Sequence, residues 1–136
     1  MSNAPAPSPA PETVLVVESD VMVRLGLAEY LRHCGYRVIE AASADEAMAV
    51  LTAVPEISVD VVFTALELQG PSDGFGLSKW VRRERPGLEV VLAGSIVKAA
   101  HEAGELCDEG PHLKRPYEPE QVVEWIKRLR NLRTQA

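Results

Sequence analysis

A chain of 136 residues with 46% hydrophobic content suits a single globular domain with its own core. Its net charge is −6, divided into −9 over residues 1–113 and +3 over residues 114–136, and an acidic body disfavours nonspecific nucleic-acid binding. No apolar run approaches the roughly 20 residues that span a bilayer, and no signal-peptide core is present, so a cytoplasmic protein with no membrane or nucleic-acid partner is expected.

Residues 1–11, rich in Ala and Ser with four prolines, cannot build a core. They are expected to form a disordered tail ahead of one domain over residues 12–136. Thr13–Val17 is a continuous apolar β run, as in a strand buried on both faces of a parallel sheet. Asp20 caps a helix with Val21, Leu25, Ala28 and Leu31 at helical spacing, and Gly35 stops it. Cys34 and Cys107 make no disulfide framework and read as ordinary thiols of a reducing cytosol.

Tyr36–Glu40 reads as a second strand. Ser43 and Glu46 form a capping box for a helix through Ala47, Val50 and Leu51, with Pro55 beyond it. Asp60–Ala65 is a third, central strand, closed by a loop with Gly70, Pro71 and Gly74. A helix from Asp73 to about Arg85 turns Leu77, Trp80 and Val81 inward, and Pro86–Gly87 breaks it. Leu88–Leu92 gives a fourth strand and Ile96–Ala103 a short, weakly patterned helix. A fifth strand falls at Pro111–Lys114. The last helix, Glu118 to about Leu132, buries Val122, Trp125, Ile126 and Leu129. Its basic residues Lys127, Arg128 and Arg130 lie near the C-terminus, where the helix dipole favours cations, and a solvated role is expected for them.

Five strands alternating with five helices imply an α/β fold: a flavodoxin-like, doubly wound, five-stranded parallel sheet of order 2-1-3-4-5 with helices on both faces. In such sheets, chemistry sits where the strands end. The residue at that edge of the central strand is Ala65, which has no chemistry of its own.

Three motifs carry a resemblance. Val14-Leu15-Val16-Val17-Glu18-Ser19-Asp20, the Asp60 strand with Asp73-Gly74, and Leu113-Lys114-Arg115-Pro116-Tyr117 together resemble the receiver domain of two-component response regulators over Thr13–Leu132. In that family an Asp ending the third strand accepts a phosphoryl group from a histidine kinase. Acidic residues after the first strand hold Mg²⁺. A Ser or Thr after the fourth strand and a Lys after the fifth contact the phosphoryl oxygens. Carried onto this chain, the phosphoacceptor position is Ala65. The acidic positions are Glu18, Ser19 and Asp20, with Glu18 and Asp20 the metal candidates and Asp20 also a helix cap. The switch hydroxyl aligns with Gly94, or with Ser95 if the loop slips by one residue. The Lys position is Arg115, free to pair with Glu18, and His112 stands where the family often has a mobile aromatic residue.

The resemblance therefore implies a degenerate pseudo-receiver that is not an enzyme. Without carboxylates at positions 19 and 65, Mg²⁺, which takes oxygen ligands in octahedral geometry, is expected to bind weakly or not at all. With no DNA-binding output domain after residue 136, a stand-alone signalling protein is expected to act through protein contacts. Candidate partners are a histidine kinase, a phosphotransfer protein, another receiver or a second copy of the chain. The surface with His112, Trp125 and Arg128 is the candidate contact face. The alternative is an ordinary phosphoacceptor regulator whose Asp at position 65 has been replaced. A small-ligand binder using the strand-edge crevice is the weakest reading.

Overall fold

The structure, a computed structural model, describes residues 12–53, 58–109 and 115–135. The elements are β1 (Thr13–Val17), α1 (Val21–His33), β2 (Arg37–Ala41), α2 (Ala44–Ala53), β3 (Val61–Ala65), α3 (Gly74–Glu84), β4 (Glu89–Ala93), α4 (Ile96–Glu109) and α5 (Pro119–Gln135). Among the described residues the sheet is four-stranded and parallel, in the order β2-β1-β3-β4. The fifth strand expected at residues 111–114, with His112 and Lys114, lies outside the described residues.

The apolar β runs are explained by helices on both faces. Every residue of β1 is buried. On one face, Val14, Val16, Val61 and Phe63 pack with Val23, Leu27 and Tyr30 of α1, Ala99 and Ala103 of α4, and Val122 and Ile126 of α5. On the other, Leu15, Val17 and Val62 pack with Ala47 and Leu51 of α2 and Leu77 and Val81 of α3. Each fully buried side chain of the size of Phe63 or Leu15 stabilises the fold by roughly 1.5–3 kcal/mol. In register, Val17 pairs with Thr64 and Ala65 with Ala93, so the strands end level at one edge.

Three expectations are corrected. Ala28 and Leu31 are buried as expected, but Val21 and Leu25 are 50% and 36% exposed, and α1 turns Val23, Leu27 and Tyr30 inward in their place. The buried stripe faces both the sheet and α5, and the first turns of the expected one, with Val21 and Leu25, lie toward solvent. α4 continues past Ala103 to Glu109, burying Ala99, Ala100, Ala103, Gly104, Leu106 and Cys107. Its buried face is built largely of small residues, so the apolar contrast that marks a helix in sequence is weak there. Cys34 and Cys107 are not free thiols: they form a disulfide linking the C-cap of α1 to α4, with Cα atoms 5.4 Å apart.

Candidate functional site

The sheet edge carries a cavity of about 230 Å³ lined by Glu18, Asp20, Ala65, Leu66, Glu67, Gly94, Ser95 and Arg130, over a floor that includes Val23, Phe63 and Ala99. Backbone geometry fixes its walls. Leu66 N–H donates to Ala93 O at 2.9 Å, and Gly74 N–H donates to Leu66 O at 2.8 Å. A Cβ on Gly74 would stand 1.9 Å from Ala65 O, so only glycine lets α3 start this close to the end of β3. The Asp73 carboxylate caps that helix by accepting from Gly76 N–H at 2.8 Å.

Glu18 follows β1 directly and is half-buried. Its Oε2 accepts from Asp20 N–H at 2.8 Å, and its carbonyl accepts from Arg24 Nη1 at 2.8 Å. Burial pushes its carboxyl above the usual range, and the Asp20 charge adds to this. The backbone N–H groups of Asp20 and Ser19 and the charge of Arg24 oppose it without prevailing. Asp20 caps α1, its Oδ1 accepting from Met22 and Val23 N–H at 2.9 and 3.3 Å. Its Oδ2 lies 3.7 Å from Arg130 Nε.

Ser19 does not point at a ligand. Its hydroxyl donates to Ala42 O at 2.8 Å and accepts from Gln69 N–H at 2.9 Å. One side chain thus joins the segments that follow β1, β2 and β3. Thr64, wholly buried, donates its hydroxyl to Ala65 O at 2.9 Å and lies on the α2–α3 side of the sheet, as strand alternation requires. Ser95 is exposed and serves α4 as a cap, its Oγ accepting from Lys98 N–H at 3.1 Å. Gly94 is also exposed.

Arg115 takes no part in the cavity wall, and the expected Glu18–Arg115 pair is not formed. Its guanidinium grips Asp108 through Nε and Nη2, with Nε–Oδ1 at 3.0 Å, and reaches Glu118 Oε2 at 3.0 Å. Hydrogen bonding to Arg115 holds the Asp108 carboxyl below its usual range. A guanidinium suits this two-pronged grip, and one on the short stretch before α5 meets the end of α4 before it reaches the sheet edge. Trp125 is half-buried beside Gly26 of α1, and Arg128 is exposed.

Arg130, expected to have only a solvated role, pairs with Asp20 at the cavity, and Glu67 is a cavity residue with no role assigned from sequence. For Arg130 a signal was present: Val122, Ile126 and Arg130 fall four residues apart, one above another on the face of α5 that packs on α1. At Gly26 that packing is close enough that an added Cβ would stand 2.5 Å from Ile126 Cγ1. Glu67 follows the strand end within a loop and carries no periodic signal.

As a metal site the donors fit poorly. Ala65 offers no side-chain oxygen, and the Ser19 hydroxyl is engaged on both sides. Glu18 and Asp20 have carboxylate oxygens committed to backbone N–H groups, and a guanidinium stands beside Asp20. Among the described residues no group of three or more His, Cys, Asp or Glu is placed to hold a metal ion. No described helix is long and apolar enough to cross a membrane.

Residues 14–127 match the response regulator receiver domain. The chain is 29% identical over 118 residues to the transcriptional regulatory protein AruR of Pseudomonas aeruginosa, covering 85% of this chain and 48% of that protein. It therefore spans about half the length of that curated relative. Its fold resembles a receiver domain protein from Clostridium thermocellum (TM-score 0.58, 20% identity, 89% of this chain and 98% of the other). A similar match is the receiver domain of an HD domain-containing protein from Pseudomonas fluorescens (TM-score 0.58, 18% identity, 93% and 99%).

Proposed function

The chain belongs to the response regulator receiver domain family, and from that membership we propose that it signals in a two-component pathway without an aspartyl phosphate. It acts as a protein–protein interaction module. The observation that carries this reading is Ala65: the position where the family presents its acceptor carboxylate ends β3 in a methyl group. Phosphoryl transfer between such proteins depends on an acceptor, a metal and a cation held together. Here the acceptor is missing, the metal donors are committed elsewhere, and Arg115 is turned to Asp108. Neighbouring hydroxyls do not replace the acceptor, since Thr64 is buried on the other side of the sheet and Ser95 caps a helix. Mg²⁺ therefore binds weakly or not at all.

The partner is a protein: a histidine kinase, a phosphotransfer protein, another receiver or a second copy of this chain. The helix bearing Trp125 and Arg128 supplies the contact face. A cytoplasmic setting suits such partners.

The test separates a specialised pocket from one that lost only its acceptor. Ala65→Asp is incubated with acetyl phosphate and Mg²⁺, alone and combined with Ser19→Asp and Arg115→Lys. The reading expects slow labelling of the single variant. It also expects a gain in the triple variant that exceeds the sum of the single changes, as for groups acting on one phosphoryl site. If Ala65→Asp alone labels as fast as an ordinary receiver, the second reading stands, and position 65 is a replaced acceptor in a working pocket.

A further inference from the structure

Three consecutive residues near the end of α4 are each tied to a different element. Leu106 O accepts from the buried Tyr36 hydroxyl at the start of the β2 segment. Cys107 is bonded to Cys34 at the C-cap of α1. Asp108 is gripped by Arg115, ahead of α5. The same helix, at its other end, supplies Ile96 and Ala99 to the wall of the sheet-edge cavity. Of the three ties, two are polar contacts, one of them exposed, and one is covalent. Only the covalent one is made or broken by redox chemistry.

We propose that the Cys34–Cys107 disulfide is a redox-set latch that fixes the C-terminal turns of α4 against α1, so that thiol oxidation sets the mobility of the α4 face. The two cysteines are the chain's only ones and stand 73 residues apart in sequence. Their juxtaposition is therefore a product of the fold rather than of local chain geometry.

The step balances with a low-molecular-weight disulfide as oxidant. One thiol, as its thiolate, attacks a sulfur of the oxidant and releases one small thiol, leaving a mixed disulfide on the protein. The second thiolate then displaces the other small thiol and closes the Cys34–Cys107 bond. In sum, two protein thiols and one small disulfide become one protein disulfide and two small thiols, and a dithiol reductant reverses the exchange.

Burial sets the kinetics. Cys34 and Cys107 are 1% and 2% exposed, so neither sulfur meets a reagent while α4 is docked. Exchange proceeds through local opening of the helix end, and its rate reports that opening. Once reduced, the end of α4 keeps its two polar ties and its apolar contacts and opens more often. The latch is independent of position 65, so its failure and the failure of the unphosphorylated reading are separate outcomes.

The test uses the full chain in two states, treated with glutathione disulfide or with dithiothreitol. Free thiols are counted by alkylation and intact mass, and hydrogen exchange is followed in peptides covering residues 96–109 and, as a reference, 13–17 and 61–65. The oxidised chain is expected to be monomeric with no free thiols. Reduction is expected to speed exchange at the end of α4 by about tenfold or more, with a smaller change in the reference strands. Cys34→Ala should match the reduced chain, and should it fail to fold, the two states of the native chain still decide. Two thiols that stay free under glutathione disulfide, disulfides formed between chains instead of within one, or equal α4 exchange in both states would each overturn the latch.

Discussion

Gly74 and Gly76 sit two residues apart in the first turn of α3, yet replacing each with alanine should move stability in opposite directions. At Gly74, an added Cβ lies 1.9 Å from Ala65 O, 2.9 Å from the Ala65 carbonyl carbon and 3.0 Å from Leu92 Cδ1. Ordinary non-bonded contact is roughly 3.5 Å, and the offending atom is backbone, so no side-chain rotation relieves it. Either α3 or the end of β3 must shift, against the Leu66–Ala93 and Gly74–Leu66 hydrogen bonds. Overpacking of this kind costs about 1–3 kcal/mol, and contact with fixed backbone puts it at the upper end. Alanine returns about 1 kcal/mol through helix propensity, leaving a net loss of about 2 kcal/mol. At Gly76 the nearest atom, Asp73 Oδ1, is 3.5 Å away, an ordinary contact. There the propensity term stands alone, and Gly76→Ala should stabilise by up to about 1 kcal/mol. Urea unfolding at constant m measures both as opposite shifts of the midpoint. A Gly74→Ala protein as stable as Gly76→Ala would refute the close approach of α3 to Ala65, and with it the geometry of the cavity wall.

Glu18 has a carboxyl raised by burial, so the folded state holds its proton where the unfolded state has released it. Its contribution to stability therefore falls as pH rises from the ordinary carboxylate range through the folded value. Glu18→Gln should flatten that slope in urea midpoints taken across the acid range, and an unchanged slope would assign it to other groups. Ser19→Ala leaves Gln69 N–H and Ala42 O without their hydroxyl partner. It should cost about 1 kcal/mol and speed amide exchange at Gln69, with Ser19→Thr restoring both. Against the oxidised chain, the double change Cys34→Ala with Cys107→Ala removes a cross-link over 73 residues. Loop-closure entropy puts the loss near 4 kcal/mol, and calorimetry of the two proteins measures it.

Strand β1 was legible because burial on both faces leaves a mark along its length: Val14–Val17 is apolar throughout and lies where expected. The strand-end positions Glu18, Ala65 and Gly94 followed from the expected strands and share one cavity wall. The partners of long polar side chains were not legible. Arg115 stands one residue past a predicted strand, and nothing local distinguishes reaching Glu18 from gripping Asp108. Arg130 is exposed but continues the Val122–Ile126 row of α5, and only the packing of α5 on Gly26 shows which element that row meets. The cysteine pair escaped for the same reason, since composition speaks for the compartment and not for which helix ends meet. In sequence Ser19 stands as a missing carboxylate. Its two hydrogen bonds, to Ala42 and Gln69, depend on loops whose paths the sequence pattern does not describe.

The central claim is that this receiver domain does not pass through an aspartyl phosphate, and intact-mass spectrometry after incubation with acetyl phosphate and Mg²⁺ tests it most directly. With a methyl group at the end of β3, the native chain should keep its mass while a phosphoaccepting receiver treated alongside gains one phosphoryl group. A native chain that gains an acid-stable or a hydroxylamine-labile phosphoryl group, mapped to any residue lining the cavity, would contradict the account.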